Sequence, residues 1–138
     1  MIIGFDGKRA VENNTGLGNY SRLLVEVLAA KYPDNKYLLY APRLKENPRL
    51  MGLLSRSNVD IVTPESTFGR AIGSMWRSKG ITPRLSHDGV NLYHGLSGEL
   101  PLNIGEFDGP TVLTKATALS CTPHDIVARH RRPKHSVS

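Results

Sequence analysis

The feature that most limits how this chain can fold is a three-part run at its N-terminus. Ile2, Ile3 and Phe5 form a short apolar run ending at Asp6, as in a buried parallel strand. The stretch Asn13-Asn14-Thr15-Gly16-Leu17-Gly18-Asn19-Tyr20-Ser21-Arg22 follows, and a helical pattern continues to Lys31. Strand, glycine-bearing turn and helix N-terminus in that order make an anion-binding corner. The first amides of a helix have no acceptor within it, and the helix dipole adds partial positive charge there. Gly16 and Gly18 can let backbone approach a ligand where a Cβ would collide. The same glycines serve equally to turn the chain tightly into its first helix. The G-x-G spacing lacks the third glycine of a dinucleotide fingerprint, and no G-K-[ST] follows to make a P-loop.

Downstream, apolar runs alternate with helical stretches. Tyr20, Leu23, Leu24, Val27 and Leu28 recur at three-and-four spacing, predicting one buried face on the first helix. Pro33-Asp34-Asn35 stops that helix. Strands are predicted at Tyr37 to Ala41, Val59 to Val62, Asn91 to His94 and Thr111 to Thr114. Helices are predicted over Pro48 to Leu54, about Thr67 to Lys79 and Ile81 to His87. In the second of these, Phe68, Ile72, Met75 and Trp76 are expected to face the core. The alternation implies parallel βαβ units: an open, mostly parallel Rossmann-like α/β sheet with helices on both faces. Residues 1–114 form that domain. Residues 115–138 lack sustained periodicity and are expected to be an irregular basic tail, with room for a short helix around His124 to His130.

Composition narrows the function. At 138 residues the chain suits one domain with a real core. No run approaches a membrane span, and the N-terminus reads as a strand and not as a signal peptide, so a cytoplasmic location is expected. The single cysteine, Cys121, cannot form an internal disulfide. Much of the net charge of +6 is diffuse, but Arg129, Arg131, Arg132 and Lys134 crowd the tail. Such a run can touch nucleic acid or anionic lipid, or stand solvated. No aromatic residue interleaves it, which weighs against single-stranded nucleic acid.

In an open parallel sheet, ligands collect beyond the carboxyl ends of the strands. Three groups are expected there: Asp6 to Arg9, the Gly16 to Tyr20 loop, and His94 to Ser97. Arg9 suits a phosphate or carboxylate through its planar fork, and is equally an ordinary loop charge. His94 suits proton transfer or a hydrogen bond to a sugar hydroxyl, and is also a plausible satisfied strand-end histidine. Glu99 lies on a loop that could reach the crevice. No His/Cys/Asp/Glu spacing fits a zinc or calcium site, and no G-x-S-x-G elbow is present.

These pieces, Ile3 to Arg9, Thr15 to Arg22, and Asn91 to Ser97 with Leu100-Pro101 beyond, resemble the N-terminal half of retaining family 4 glycosyltransferases. The resemblance spans about residues 1–114. It implies one half of a two-domain GT-B fold and metal-free transfer of a hexose, often mannose, from a nucleotide-sugar to a glycan or lipid-linked acceptor. It implies no cofactor and no nucleic acid, and leaves room for peripheral membrane contact. Substrate and phosphate contacts are thereby expected at Arg9, Gly16, Leu17, Gly18, Asn19, Tyr20, His94 and Ser97. Gly16 and Gly18 would face the diphosphate, and His94 and Ser97 the acceptor. Similar sequences continue the fifth strand as Thr-x-His-Asp, whereas here Thr114 precedes Lys115-Ala116-Thr117. The family's donor-binding C-terminal domain has no counterpart in these residues. The expectation is therefore a truncated product, its frame lost near Thr114, inactive alone. The other expectation is a non-catalytic module that binds a nucleotide-sugar or sugar phosphate with a partner chain.

Overall fold

The computed structural model describes residues 1–65 and 73–114, together with the backbone of 126–129. Five parallel strands form the sheet: β1 (Ile2–Asp6), β2 (Lys36–Tyr40), β3 (Val59–Val62), β4 (Leu92–Gly95) and β5 (Thr111–Thr114). Their order is β3-β2-β1-β4-β5. The chain runs outward from β1 through β2 to β3, then crosses back to lay β4 on the other side of β1. Phe5 is thus flanked in register by Leu39 on one side and His94 on the other. The reversal between β1 and β4 is the switch point at which such sheets open a crevice.

Two cores form because β2 is apolar on both faces. Tyr37 and Leu39 join Phe5, Val25, Ala29 and Leu53 on one side of the sheet. Leu38 and Tyr40 join Ile81, Leu85 and Tyr93 on the other. The first side is covered by α1 (Lys8–Glu12), α2 (Gly16–Lys31) and α3 (Met51–Leu54), the last entered through a 3-10 turn, Pro48–Leu50. The second side is covered by α5 (Ile81–His87), reached through a three-residue α4 (Gly73–Met75) and a π-helical turn, Trp76–Gly80. The buried Tyr40 hydroxyl donates to Asp88 at 2.8 Å, tying the end of α5 to β2. Among the described residues no helix is long and apolar enough to cross a membrane.

Several local expectations are corrected. The Asp6 to Arg9 stretch, read as a break after the first strand, opens the short helix α1. The buried face of α2 is rotated from the predicted one. Gly18, Ser21, Arg22, Val25 and Ala29 point inward, whereas Tyr20, Leu23 and Val27 are 47%, 59% and 50% exposed. Leu24 and Leu28 flank the core and belong to both sets. The end of α1 packs so close to the start of α2 that a Cβ on Gly18 would stand 1.8 Å from the Asn13 carbonyl oxygen. Trp76 packs against the second core as expected, but Met75 is exposed; Phe68 and Ile72 lie outside the described residues.

Within the tail, four residues are described. Ile126–Arg129 adds a sixth strand, β6, antiparallel to β5, with Val112 opposite Ala128 and Leu113 opposite Val127. A strand edge presents unpaired amides and carbonyls, and the Ile126-Val127 pair has the branched side chains that extended backbone favours. The proposed helix at His124 to His130 is replaced there by extended chain, and the rest of 115–138 lies outside the described residues.

The rotated face of α2 has a direct consequence for stability. Val25→Ala removes a fully buried side chain and is expected to cost about 2 kcal/mol. Leu23→Ala, on the side predicted from the sequence to be core, is expected to stay within about 0.5 kcal/mol. Urea unfolding of the two variants checks the pair.

Candidate functional site

The site begins where β1 ends. Asp6 is buried, and its Oδ1 accepts the Lys8 amide at 3.2 Å, starting α1. Its Oδ2 accepts Arg77 Nη2 at 2.9 Å and the Ser97 hydroxyl. One carboxylate therefore joins the strand end, the π-helical turn and the segment after β4. A buried charge of this kind requires a partner and further hydrogen bonds, and Asp6 has both.

The far end of α1 is closed by a second buried ion with no acidic partner among the described residues. Arg22, on α2 and 5% exposed, sends Nη1 to the carbonyls of Ala10 (2.8 Å) and Asn13 (2.7 Å). Its Nη2 donates to Asn19 Oδ1 at 2.6 Å. The last carbonyls of a helix carry partial negative charge, so a guanidinium can satisfy them in place of a carboxylate. Burial, and then the neighbouring Arg49, lower the Arg22 pKa from its ordinary value. Arg49 donates to the Asn14 carbonyl at 2.8 Å and to Asn19 Oδ1 at 3.1 Å. Asn47 reaches the Val11 carbonyl and Asn14 Oδ1 at 3.1 and 2.9 Å.

Between these clamps the chain turns tightly. Asn13 Oδ1 accepts both the amide and the hydroxyl of Thr15, at 2.7 and 2.6 Å. Thr15 precedes α2, yet its side chain makes no capping bond. Gly18 lies under the turn: a Cβ there would stand 1.8 Å from the Asn13 carbonyl oxygen. The chain's own backbone thus fills the space that a glycine leaves. Gly16 faces open space.

A crevice of about 510 Å3 opens over these elements, lined by Lys8, Arg9, Glu12, Asn13, Asn14, Thr15, Arg77, Ser97 and Glu99. Arg9 and Ser97, both predicted from sequence, meet on its walls. The glycine loop enters through Asn13 to Thr15, upstream of the predicted Gly16 to Tyr20. Leu17 and Tyr20 are exposed, Gly18 is buried, and Asn19 is held by the two arginines. His94 is not a wall residue. It stacks at a tilt on Phe5, with centroids 5.5 Å apart, and its Nε2 shares a 2.7 Å hydrogen bond with Thr114 Oγ1. Burial pushes its pKa down to about 4, so the ring is uncharged at neutral pH.

Lys8 lay within the expected Asp6 to Arg9 group without a role of its own, and Arg77 and the arginine clamp were not singled out from the sequence. Arg77 lies in a segment whose apolar residues suggested core, and nothing in its spacing points 71 positions back to Asp6. Arg22 closes the glycine-bearing stretch, but a helical arginine gives no sign of burial. Among the described residues no group of three His, Cys, Asp or Glu side chains could hold a metal ion. Comparison with protein-family profiles, curated proteins and solved structures found no match to this chain.

Two outcomes follow from this geometry. Gly18→Ala forces a methyl group against the Asn13 carbonyl and is expected to cost about 2–3 kcal/mol, read by urea denaturation. Gly16→Ala, in open space, is expected to cost less than 1 kcal/mol. Because the His94 pKa is lower folded than unfolded, the unfolded chain binds the extra proton between about pH 6.5 and 4. Stability should fall across that window on acidification, and His94→Gln should flatten the dependence in melting curves.

Proposed function

We propose that this domain forms the acceptor-side half of a sugar-transfer site, in the manner of family 4 GT-B glycosyltransferases. The observation that carries the reading is the crevice at the switch point between β1 and β4. There Arg9 and the Asn13 to Thr15 turn, from the segment after β1, and Ser97, from the segment after β4, line one cavity. Arg9, Thr15 and Ser97 belong to the stretches on which the sequence resembles that family, which supports the reading.

The chemistry suits a phosphate-bearing sugar. Lys8 and Arg9 line the crevice, and neither has an acidic partner among the described residues. They supply charge for a diphosphate. The uncapped start of α2 adds partial positive charge nearby. Ser97 and the asparagine side chains offer hydrogen bonds for hydroxyl groups. Asp6 is engaged by Arg77 and Ser97, so its part is to hold the wall in place.

In this reading a hexose of mannosyl type passes from a nucleotide-sugar to a glycan or lipid-linked acceptor, with a second domain or chain closing over the donor. One half of such a site supplies few of the contacts that stabilise the transition state. The domain alone should bind without measurable turnover. Calorimetric titration with a panel of nucleotide-sugars at low salt tests this. Binding is expected for at least one of them, and Arg9→Ala should weaken it about tenfold, or about 1.4 kcal/mol. No heat with any of the panel, or the same affinity in Arg9→Ala, would overturn the reading.

A further inference from the structure

The crevice has one carboxylate whose position serves no evident purpose in the fold. Asp6 lies beneath the wall with Arg77 and Ser97, and Glu12 pairs with Arg43 at 3.3 Å. Glu99 is different: its side chain is 75% exposed, and it contacts Arg77 Nη2 at 3.6 Å, the same nitrogen that holds Asp6. We propose that Arg77 is the anion-receiving group of this crevice, and that Glu99 occupies the anion's place until a phosphate or diphosphate group displaces it. The inference rests on the reading of the crevice as a site for a phosphate-bearing ligand, and adds how that ligand gains entry.

Arg77 is placed for the task. It lines the main crevice and also a second cavity of about 190 Å3, walled by Asp6, Tyr93 and Leu100 among others. Its Nε is buried with no acceptor among the described residues, so the guanidinium holds its carboxylates through Nη2 alone. A guanidinium presents five donors in a planar fork, and a phosphate can take several that one distant carboxylate leaves unused.

Glu99 is equally placed to leave. Its backbone is fixed: a Cβ on Gly95 would come within 2.6 Å of the Glu99 carbonyl oxygen, and Gly98 turns the chain at φ +78° just before it. Only the side chain must rotate, and it is already mostly in water. The Glu99 carboxylate is mostly in water, and at 3.6 Å its contact with Arg77 is longer than a hydrogen bond, so its loss costs little on ligand entry. Once Glu99 has swung away, Lys8, Arg9 and Arg77 face the ligand with no unpartnered carboxylate among them.

Titration of the full chain with inorganic pyrophosphate at low salt tests the proposal, with Glu99→Gln and Glu12→Gln compared in parallel. Both variants remove one negative charge from the crevice wall, so a general electrostatic effect would act on them alike. Displacement of Glu99 predicts three- to tenfold tighter binding in Glu99→Gln and less than a twofold change in Glu12→Gln. Equal gains, or no gain in Glu99→Gln while the wild-type protein binds, would overturn the proposal and leave the phosphate-site reading standing. If neither the wild type nor either variant binds pyrophosphate or any nucleotide-sugar, that reading fails and the proposal falls with it.

Discussion

The carbonyl of Asn13 rests where Gly18 has no side chain, and Arg22 donates to it from the same helix. Much of the molecule's working surface depends on that contact. It brings the end of α1 against the start of α2, and so fixes the rotation of α2 about its axis. That rotation sends Val25 and Ala29 to the sheet and leaves Leu23 and Val27 in water. It also holds Asn13 to Thr15 on the wall of the crevice.

Charge is distributed around the crevice by the same economy of partners. The two most buried ions near it are each satisfied differently. Asp6 has a guanidinium and a hydroxyl, whereas among the described residues Arg22 has carbonyls and an amide oxygen. Burying an ion is tolerable when dipoles or opposite charge replace its water. Arg22 obtains this from the end of α1, whose aligned carbonyls carry partial negative charge. The cations left at the surface, Lys8 and Arg9, therefore remain available in the crevice without being needed to hold the fold together.

His94 shows how a strand end can tune a side chain. Packed on Phe5 and bonded to Thr114, it is kept uncharged by burial. An uncharged imidazole can both donate and accept a hydrogen bond, and here its Nε2 is engaged by the Thr114 hydroxyl. Thr114 ends β5. Here the extended segment Ile126–Arg129 returns to pair along the outer edge of β5.

The sequence by itself determined the sheet and its elements. Apolar runs such as Tyr37 to Tyr40 and Val59 to Val62 are too short and too β-rich for helices, and proline or glycine bounds most of them. Their alternation with helical stretches admits a parallel α/β arrangement and little else. Arg9 and Ser97 were legible as crevice residues because they follow strand ends, and strand ends are where such crevices open. The tertiary structure alone decided the phase of α2, since two overlapping apolar stripes share Leu24 and Leu28 and only a neighbouring helix chooses between them. It alone showed that Gly18 accommodates the chain's own backbone, and that Arg77 and Asp6 meet across 71 positions. Local pattern records which residues prefer which backbone; it does not record which distant atom fills a gap or neutralises a charge.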